Sequence, residues 1–272
     1  MAMSPSNRHS HRTSGAIPQS DYYGDTMSSP SHTLVIPMFN EADRISATLQ
    51  TIAASRQLCN GLELLLVNDG STDATASVAR QALVDFELPG RLIDGPHMGK
   101  GAAVMTGLTA GTAPVRAFVD ADLSTDLPSI QRVLAAVQTG QVDVAIASRR
   151  HRESDIRQHQ PPQREMAGRA FNLILRGLGL TRHRDTQCGL KAFTADAIEA
   201  CSPKMTSFGF AFDVELLFIA EREGFASLAF PVTWSDVEGT SVKMWTGAPA
   251  MLRELLRLRR LYRSTAPLSN AR

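Results

Sequence analysis

The stretch VRAFVDADLSTDLP, Val115 to Pro128, turns from an apolar run into an acidic cluster and then into the first turn of a helix. Val115 to Asp120 reads as a strand. Pro128 suits the start of a helix whose apolar face is Ile130, Val133, Leu134 and Val137. Strand, short turn and helix in succession are one βα unit of a parallel sheet. At a strand end alternate residues point the same general way, so Asp120 and Asp122 can reach one hard cation, while Asp126 starts the helix. Without a cation, the same cluster is an exposed acidic turn.

Outward from this unit the pattern repeats. Thr33–Met38, Leu62–Asn68, Arg91–Gly95 and Val142–Ser148 are further candidate strands. Between them, Ile45, Leu49, Ile52 and Ala53, then Val78, Ala82 and Leu83, recur at helical spacing. The predicted fold is α/β: a mostly parallel central sheet with flanking helices. After Ser148 the alternation breaks. Residues 149–164 read as a polar, mobile loop containing Pro161 and Pro162, and residues 149–184 carry nine arginines against three acids. A helix at about 165–178, a strand-like KAF, a helix at about 213–223 and a strand over ASLAFPVTW follow.

Composition sets the outer limits. A chain of 272 residues, 43% hydrophobic and 20% charged, fits one large globular domain. A net charge of +1 gives no whole-molecule attraction to nucleic acid, so no nucleic-acid partner is expected. Cys59, Cys188 and Cys201 form no CxxC pair, as expected for reduced cytosolic thiols. No apolar run approaches the roughly 20 residues of a spanning helix. Residues 1–31 are rich in Ser, Pro and His without a secretory h-region, and read as a disordered tail; 32–247 read as the catalytic domain and 248–272 as a basic amphipathic helix and tail.

In an open parallel sheet ligands gather beyond the carboxyl ends of the strands. There the sequence offers Pro37, Asn40 and Glu41; then Asn68, Asp69, Gly70, Ser71 and Asp73; then HMGKGAA; then the acidic cluster; then Ser148, Arg149 and Arg150. NDGSTD is equally a turn before a helix capped by Ser71 or Thr72. HMGKGAA opens a helix with glycines and Lys100, presenting N–H groups and an ammonium to a phosphate, though without Walker spacing.

IPMFNE, VNDGSTD, GKGAA, DADLSTD, SRR and DTQCGLKAF, in that order, resemble the family 2 inverting glycosyltransferases of GT-A fold, in particular the dolichyl- or polyprenyl-phosphate branch. The likeness spans about 33–263. It implies that Pro37, Asn40, Glu41 and Asp69 hold the donor base and ribose, with Lys100 near the diphosphate. It also implies that Asp120 contacts ribose or metal, that Asp122 ligates Mg²⁺ or Mn²⁺, and that Arg149, helped by Arg164, faces an acceptor phosphate. Gln187 and Lys191 are candidates for the sugar or acceptor site, though strand packing explains much of that segment. The implied partners are a nucleotide-diphosphate sugar, UDP-glucose favoured over GDP-mannose, and a lipid phosphate. A hydroxyl acceptor would need a base, for which Asp213 or Glu215 is the candidate; either is equally a helix-end residue. His97 stands where the family usually has asparagine.

The expected location is cytoplasmic, with peripheral docking on the inner face of a membrane as the further option the C-terminal helix could supply. Met251, Leu252, Leu255, Leu256 and Tyr262 offer an apolar face and Arg253, Arg257, Arg259, Arg260 and Arg263 a basic one. The favoured reading packs that helix on its own domain.

Overall fold

The computed structural model describes residues 29–209, 211–237 and 248–262. Positions 1–28 of the expected tail, the Met251 and Leu252 side chains and Arg263 lie outside the described residues.

Seven strands form the central sheet: β1 (His32–Met38), β2 (Leu62–Asp69), β3 (Gly90–Gly95), β4 (Val115–Val119), β5 (Val144–Ser148), β7 (Leu190–Thr194) and β8 (Ser227–Pro231), in the order β3-β2-β1-β4-β7-β5-β8. The short β6 (Asp155–Gln158) and β9 (Thr233–Ser235) pair separately. The helices are α1 (Ile45–Ala53), α2 (Arg56–Cys59), α3 (Thr75–Asp85), α4 (Lys100–Ala110), α5 (Leu127–Gln138), α6 (Pro162–Gly177), α7 (Ala195–Cys201), α8 (Phe212–Arg222) and α9 (Ala248–Leu261).

Every residue of β2, β4 and β5 is buried, as befits strands covered on both faces. Successive side chains feed opposite cores. Leu34, Ile36, Leu64 and Leu66 pack with Ile45, Leu49 and Ile52 of α1 and with Ile130, Val133, Leu134 and Val137 of α5. Val35, Leu65, Val67 and Phe118 pack with Val104 and Leu108 of α4 and with Phe212 and Leu216 of α8. Each such side chain contributes about 1.5–3 kcal/mol by burial. A third cluster joins Leu175 of α6, Val214 and Phe218 of α8, and Leu255 and Leu258 of α9.

Two features of the topology position the site. β1 lies between β2 and β4, so the chain winds outward to β3 and then returns to β1's other side. The loops after β1 and β4 therefore flank the point where strand order reverses, the usual ligand crevice of such sheets. Second, β7 runs antiparallel to both β4 and β5, pairing Val119 with Leu190. Its reversed direction brings the lead-in Asp185–Gly189 to the edge where the neighbouring strands end.

Several expectations need correcting. The polar segment 149–164 contains β6, which pairs Asp155 with Thr233 and Ile156 with Trp234 of β9. ASLAFPVTW is two strands, β8 in the main sheet and β9 outside it, because Val232 is the point of divergence. Neither Ser71 nor Thr72 caps α3; Asp73 Oδ1 accepts from Thr75 N at 3.0 Å and Thr75 Oγ1 at 2.5 Å instead. Asp126 does cap α5, accepting from Ser129 N at 3.0 Å. Among the described C-terminal residues, Leu255 is buried and the Tyr262 hydroxyl donates to Glu215 at 3.0 Å, so α9 packs on its own domain.

Candidate active site

The Asp120–Asp122 turn is fixed from three sides. Asp120 N donates to Gly189 O at 3.0 Å, Thr48 Oγ1 donates to Ala121 O at 2.5 Å, and Ser124 N donates to Asp122 Oδ1 at 3.0 Å. Leu123 takes φ 45°, a left-handed conformation that costs a non-glycine residue of the order of 1 kcal/mol and marks a held functional turn. A Cβ at position 189 would lie 2.0 Å from Asp120 Oδ2, so only glycine leaves room for this carboxylate.

Lys100, the first residue of α4, places Nζ 2.5 Å from Asp120 Oδ1. Burial alone would pull the Lys100 ammonium down, but Asp120 and then Asp213 outweigh it and raise its pKa. Burial and, next, the Asp120 charge push the Asp122 carboxyl up. Glu41, ion-paired with Arg44 at 2.8 Å, is also raised by burial, with Asp122 and Asp120 adding to the effect against Arg44. Glu41 thus shares the field of the acidic turn across the strand-order switch. This is an excess of hard oxygen donors, fit for a divalent cation that takes its remaining ligands from a diphosphate and water. Among the described residues there is no cluster of three or more His, Cys, Asp or Glu side chains that could hold a metal ion.

The remaining residues assigned to the donor organise loops. Asn40, at φ 55°, donates its backbone N–H to Ser71 Oγ and accepts Thr72 N at 2.9 Å, joining the loops after β1 and β2. Pro37 sits near the end of β1, opposite Val67 of β2. Asp69 is buried and accepts from Met98 N at 2.7 Å and Gly99 N at 3.0 Å, with His97 Nδ1 at 2.8 Å. His97 stacks on Phe39, ring centroids 4.1 Å apart. The glycine loop before α4 therefore spends the Met98 and Gly99 N–H groups on Asp69, and Ala102 N donates to Phe208 O at 3.2 Å. This differs from a loop with all its N–H groups turned outward, because a buried carboxylate must be satisfied first.

A cavity of about 370 Å³ opens on the other side of the acidic turn. Lys100, Asp120 and Asp122 border it with Arg149, Arg150, Arg164 and Arg184. Arg149 is held by Asp185, Nε to Oδ2 and Nη2 to Oδ1, both at 2.8 Å, and its guanidinium lies 5.5 Å from the Trp234 ring centroid. Burial opposes the Arg149 charge, but Asp185 outweighs it and raises the pKa. Arg164 reaches Asp236 at 3.4 Å. Gln187 also lines the cavity; its Nε2 and the neighbouring Thr186 Oγ1 are buried without a hydrogen-bond partner among the described residues.

Two assigned residues sit behind this wall. Lys191 is 0% exposed, with Nζ 3.0 Å from Asp213 Oδ1 and 2.9 Å from Cys188 O. Burial raises the Asp213 carboxyl against the pull of Lys191 and Lys100. Neither Lys191 nor Asp213 lines the cavity. Glu215 accepts from Thr206 N at 2.9 Å and Ser207 N at 2.6 Å, a structural anchor. Sequence reasoning did not single out Asp185, Thr186, Gly189 or Trp234. The first three stand within or beside the quoted DTQCG, but 36 residues separate Asp185 from the arginine it holds.

Residues 33–201 match the profile of Glycosyl transferase family 2. The chain is 30% identical over 254 residues to dolichyl-phosphate beta-glucosyltransferase ALG5C of Trichomonas vaginalis, covering 88% of this chain and 74% of that protein. It is 27% identical over 272 residues to dolichyl-phosphate beta-glucosyltransferase of Saccharomyces cerevisiae, covering 93% and 80%. In fold it is similar to glucosyl-3-phosphoglycerate synthase from Mycobacterium tuberculosis, crystallised with Mn²⁺, uridine diphosphate and phosphoglyceric acid: TM-score 0.64, 21% identity, coverage of 88% and 80%. The architecture is that of GT-A glycosyltransferases.

Proposed function

The chain belongs to glycosyl transferase family 2, and from that premise we propose that it transfers glucose from UDP-glucose to a polyprenyl or dolichyl phosphate, with inversion at the sugar carbon. The relatives named for glucosyl transfer to dolichyl phosphate support the sugar and the acceptor. The neighbour crystallised with uridine diphosphate supports the base.

One observation carries the choice of acceptor. Beyond the acidic turn, each carboxylate bordering the cavity is engaged by an arginine: Asp185 by Arg149, Asp236 by Arg164, and Glu165 by Arg169. Among the described residues no unpaired carboxylate faces this part of the space, where His159 is the one imidazole on the lining, and Asp213 is buried behind it. A phosphate acceptor is anionic near neutral pH and needs no deprotonation; a hydroxyl acceptor does.

In this reading Asp120 and Asp122 hold Mg²⁺ or Mn²⁺. When bound, that ion neutralises charge developing on the diphosphate leaving group. Lys100 adds an ammonium on the same side. Across the cavity the guanidinium of Arg149, its orientation set by Asp185, orients the acceptor phosphate, assisted by Arg164 and Arg150; charge-assisted bonds of this kind contribute about 1.5–3 kcal/mol each. The acceptor oxygen attacks the anomeric carbon from the face opposite the departing diphosphate. Gln187 and Thr186 offer their unpartnered polar atoms to the sugar.

The test combines labelled UDP-glucose, a short-chain polyprenyl phosphate and Mg²⁺ or Mn²⁺. A lipid-partitioning, mild-acid-labile product is expected, with loss on chelation and a fall of about 10²–10³-fold for Asp122→Ala, corresponding to several kcal/mol. Full metal-dependent transfer by that variant would remove Asp122 from the ligand set. Transfer only to hydroxyl acceptors, abolished by Asp213→Asn, would favour the base-dependent reading.

A further inference from the structure

β9 is only three residues long, yet it is paired along both edges. On one edge Thr233 and Trp234 pair in parallel with Asp155 and Ile156 of β6. On the other, Trp234 bridges Thr125: Ser235 N donates to Ser124 O at 2.9 Å, and Asp126 N donates to Thr233 O at 3.2 Å. Residues 124–126 are the chain leaving the acidic turn, where Ser124 N also holds Asp122 Oδ1. The backbone of β9 is therefore tied to Asp122. Its side chains serve the other side of the cavity. Trp234 is 6% exposed, belongs to the core that contains Ile130 and Val133 of α5, and still lines the cavity. The Arg149 guanidinium lies over its ring, 5.5 Å from the centroid. Asp236, just past the strand, reaches Arg164 at 3.4 Å. Two arginines of the proposed acceptor site are thus mounted on a strand bonded to the acidic turn.

We infer that Trp234 is a positioning residue for the acceptor: its ring face sets the tilt of the Arg149 guanidinium and so aims that cation at the acceptor phosphate. The ion pair with Asp185 leaves this motion open. Two parallel bonds align the fork within its own plane, but the pair is soft to tilting about the line that joins the two groups. An aromatic face attracts a guanidinium and lies flat against it, which opposes the tilt. The ring can act as a stop because it is buried in the core and its backbone is paired on both edges. Through β9 the aim of Arg149 is also referred to the acidic turn, so the acceptor phosphate is presented in register with the donor. The inference rests on the lipid-phosphate reading for what Arg149 captures, but not for how Arg149 is held.

Farnesyl phosphate is the probe, used on the full chain in steady-state transfer from UDP-glucose and, without donor, in calorimetric binding. Trp234→Met keeps an apolar side chain but no ring. Its acceptor KM and its Kd for the phosphate are expected to rise about five- to tenfold, with saturated kcat and donor KM little changed. Trp234→Phe keeps a smaller ring and loses only about twofold. A cycle with Arg149→Gln decides between positioning and packing. A ring that acts through Arg149 adds no further loss in acceptor kcat/KM to Arg149→Gln, whereas a structural role adds the same loss in both backgrounds. Thermal melts check folding, and if Trp234→Met does not fold, Trp234→Phe enters the cycle in its place. The inference falls if acceptor KM is unchanged in the folded variant, if donor KM rises by the same factor, or if the losses add; the proposed reaction then stands. Wild-type protein that binds farnesyl phosphate in a Trp234-dependent way but transfers no glucose to it overturns the lipid-phosphate reading and keeps the inference. Wild-type protein that neither binds nor glucosylates it overturns both.

Discussion

Arg149 and Asp185 meet in a two-pronged ion pair, both bonds 2.8 Å long, and the Arg149 backbone N–H donates to the same carboxylate at 3.0 Å. One carboxylate therefore fixes the end of β5 and the orientation of the guanidinium at once. The pairing leaves Nη1 without a hydrogen-bond partner among the described residues and directs the charge at the cavity.

Asp185→Asn keeps the shape but removes the charge that aligns the fork. The kcat/KM for the lipid-phosphate acceptor is expected to fall about 10–100-fold, chiefly through a raised acceptor KM, with donor KM little changed. Arg149→Lys should behave alike, because a single ammonium cannot make the two-pronged contact. Asp185→Ala strands a mostly buried arginine and should cost about 3–5 kcal/mol of stability. Steady-state kinetics with each substrate varied, beside urea unfolding, separate the two effects. An unchanged acceptor KM in both conservative variants would assign the pair to structure alone.

The same pair has a pH signature. Burial works against the Asp185 charge, but Arg149 outweighs it and holds the carboxyl below the ordinary range. A depressed folded value means that ionised Asp185 contributes stability above the unfolded value of about 3.9, and that the contribution is lost as pH falls through the folded value. The stability difference between wild type and Asp185→Asn should be flat from about pH 8 to 5 and shrink below about pH 4. A difference that instead grows on acidification would contradict the assigned sign.

How far the site was legible depends on the range of the interaction that made each part. Strands β1, β2, β4 and β5 are recognisable because burial on both faces demands unbroken apolar runs, while the partly exposed β3 shows only a short one; their ends deliver Asn40, Asp69, Lys100, Asp120 and Arg149 to one edge. β6 escapes because DIRQ is short and largely exposed and its partner lies near Thr233. The direction of β7 is invisible in KAF, since alternation is the same whichever way a strand runs. That direction alone brings Asp185 to Arg149 and Gly189 to Asp120. Lys191 is buried in β7, the strand-packing alternative for that segment, although charged residues seldom occupy buried strands. Its partner, Asp213, comes from a helix 22 residues further on.

The buried Lys191–Asp213 pair yields a double-mutant prediction. Lys191 Nζ also lies 5.1 Å from the Phe118 ring centroid, in the apolar layer beneath the site. Removing either charge alone, as Lys191→Met or Asp213→Leu, leaves the other buried and unpaired and should cost about 3–5 kcal/mol. Removing both should restore most of that loss, giving a large coupling energy in urea unfolding. Additive losses would mean that the two side chains act independently.

Gly189→Ala tests the packing that holds the acidic turn. The added methyl would sit 2.0 Å from Asp120 Oδ2 and 2.3 Å from its Cγ, far inside contact distance. The backbone around it is pinned by the Asp120 N–H bond to Gly189 O at 3.0 Å. The carboxylate is the freer partner, so it should rotate away from Lys100 and out of register with Asp122. A shift of about 1 Å in a positioned group can cost on the order of 10²-fold in rate. Transfer is therefore expected to fall by about that factor, with a smaller change in melting temperature and a raised Mn²⁺ or Mg²⁺ requirement. Metal-titrated activity beside a thermal melt reads both. Wild-type metal dependence in a folded Gly189→Ala protein would show that Asp120 does not need the conformation Gly189 permits.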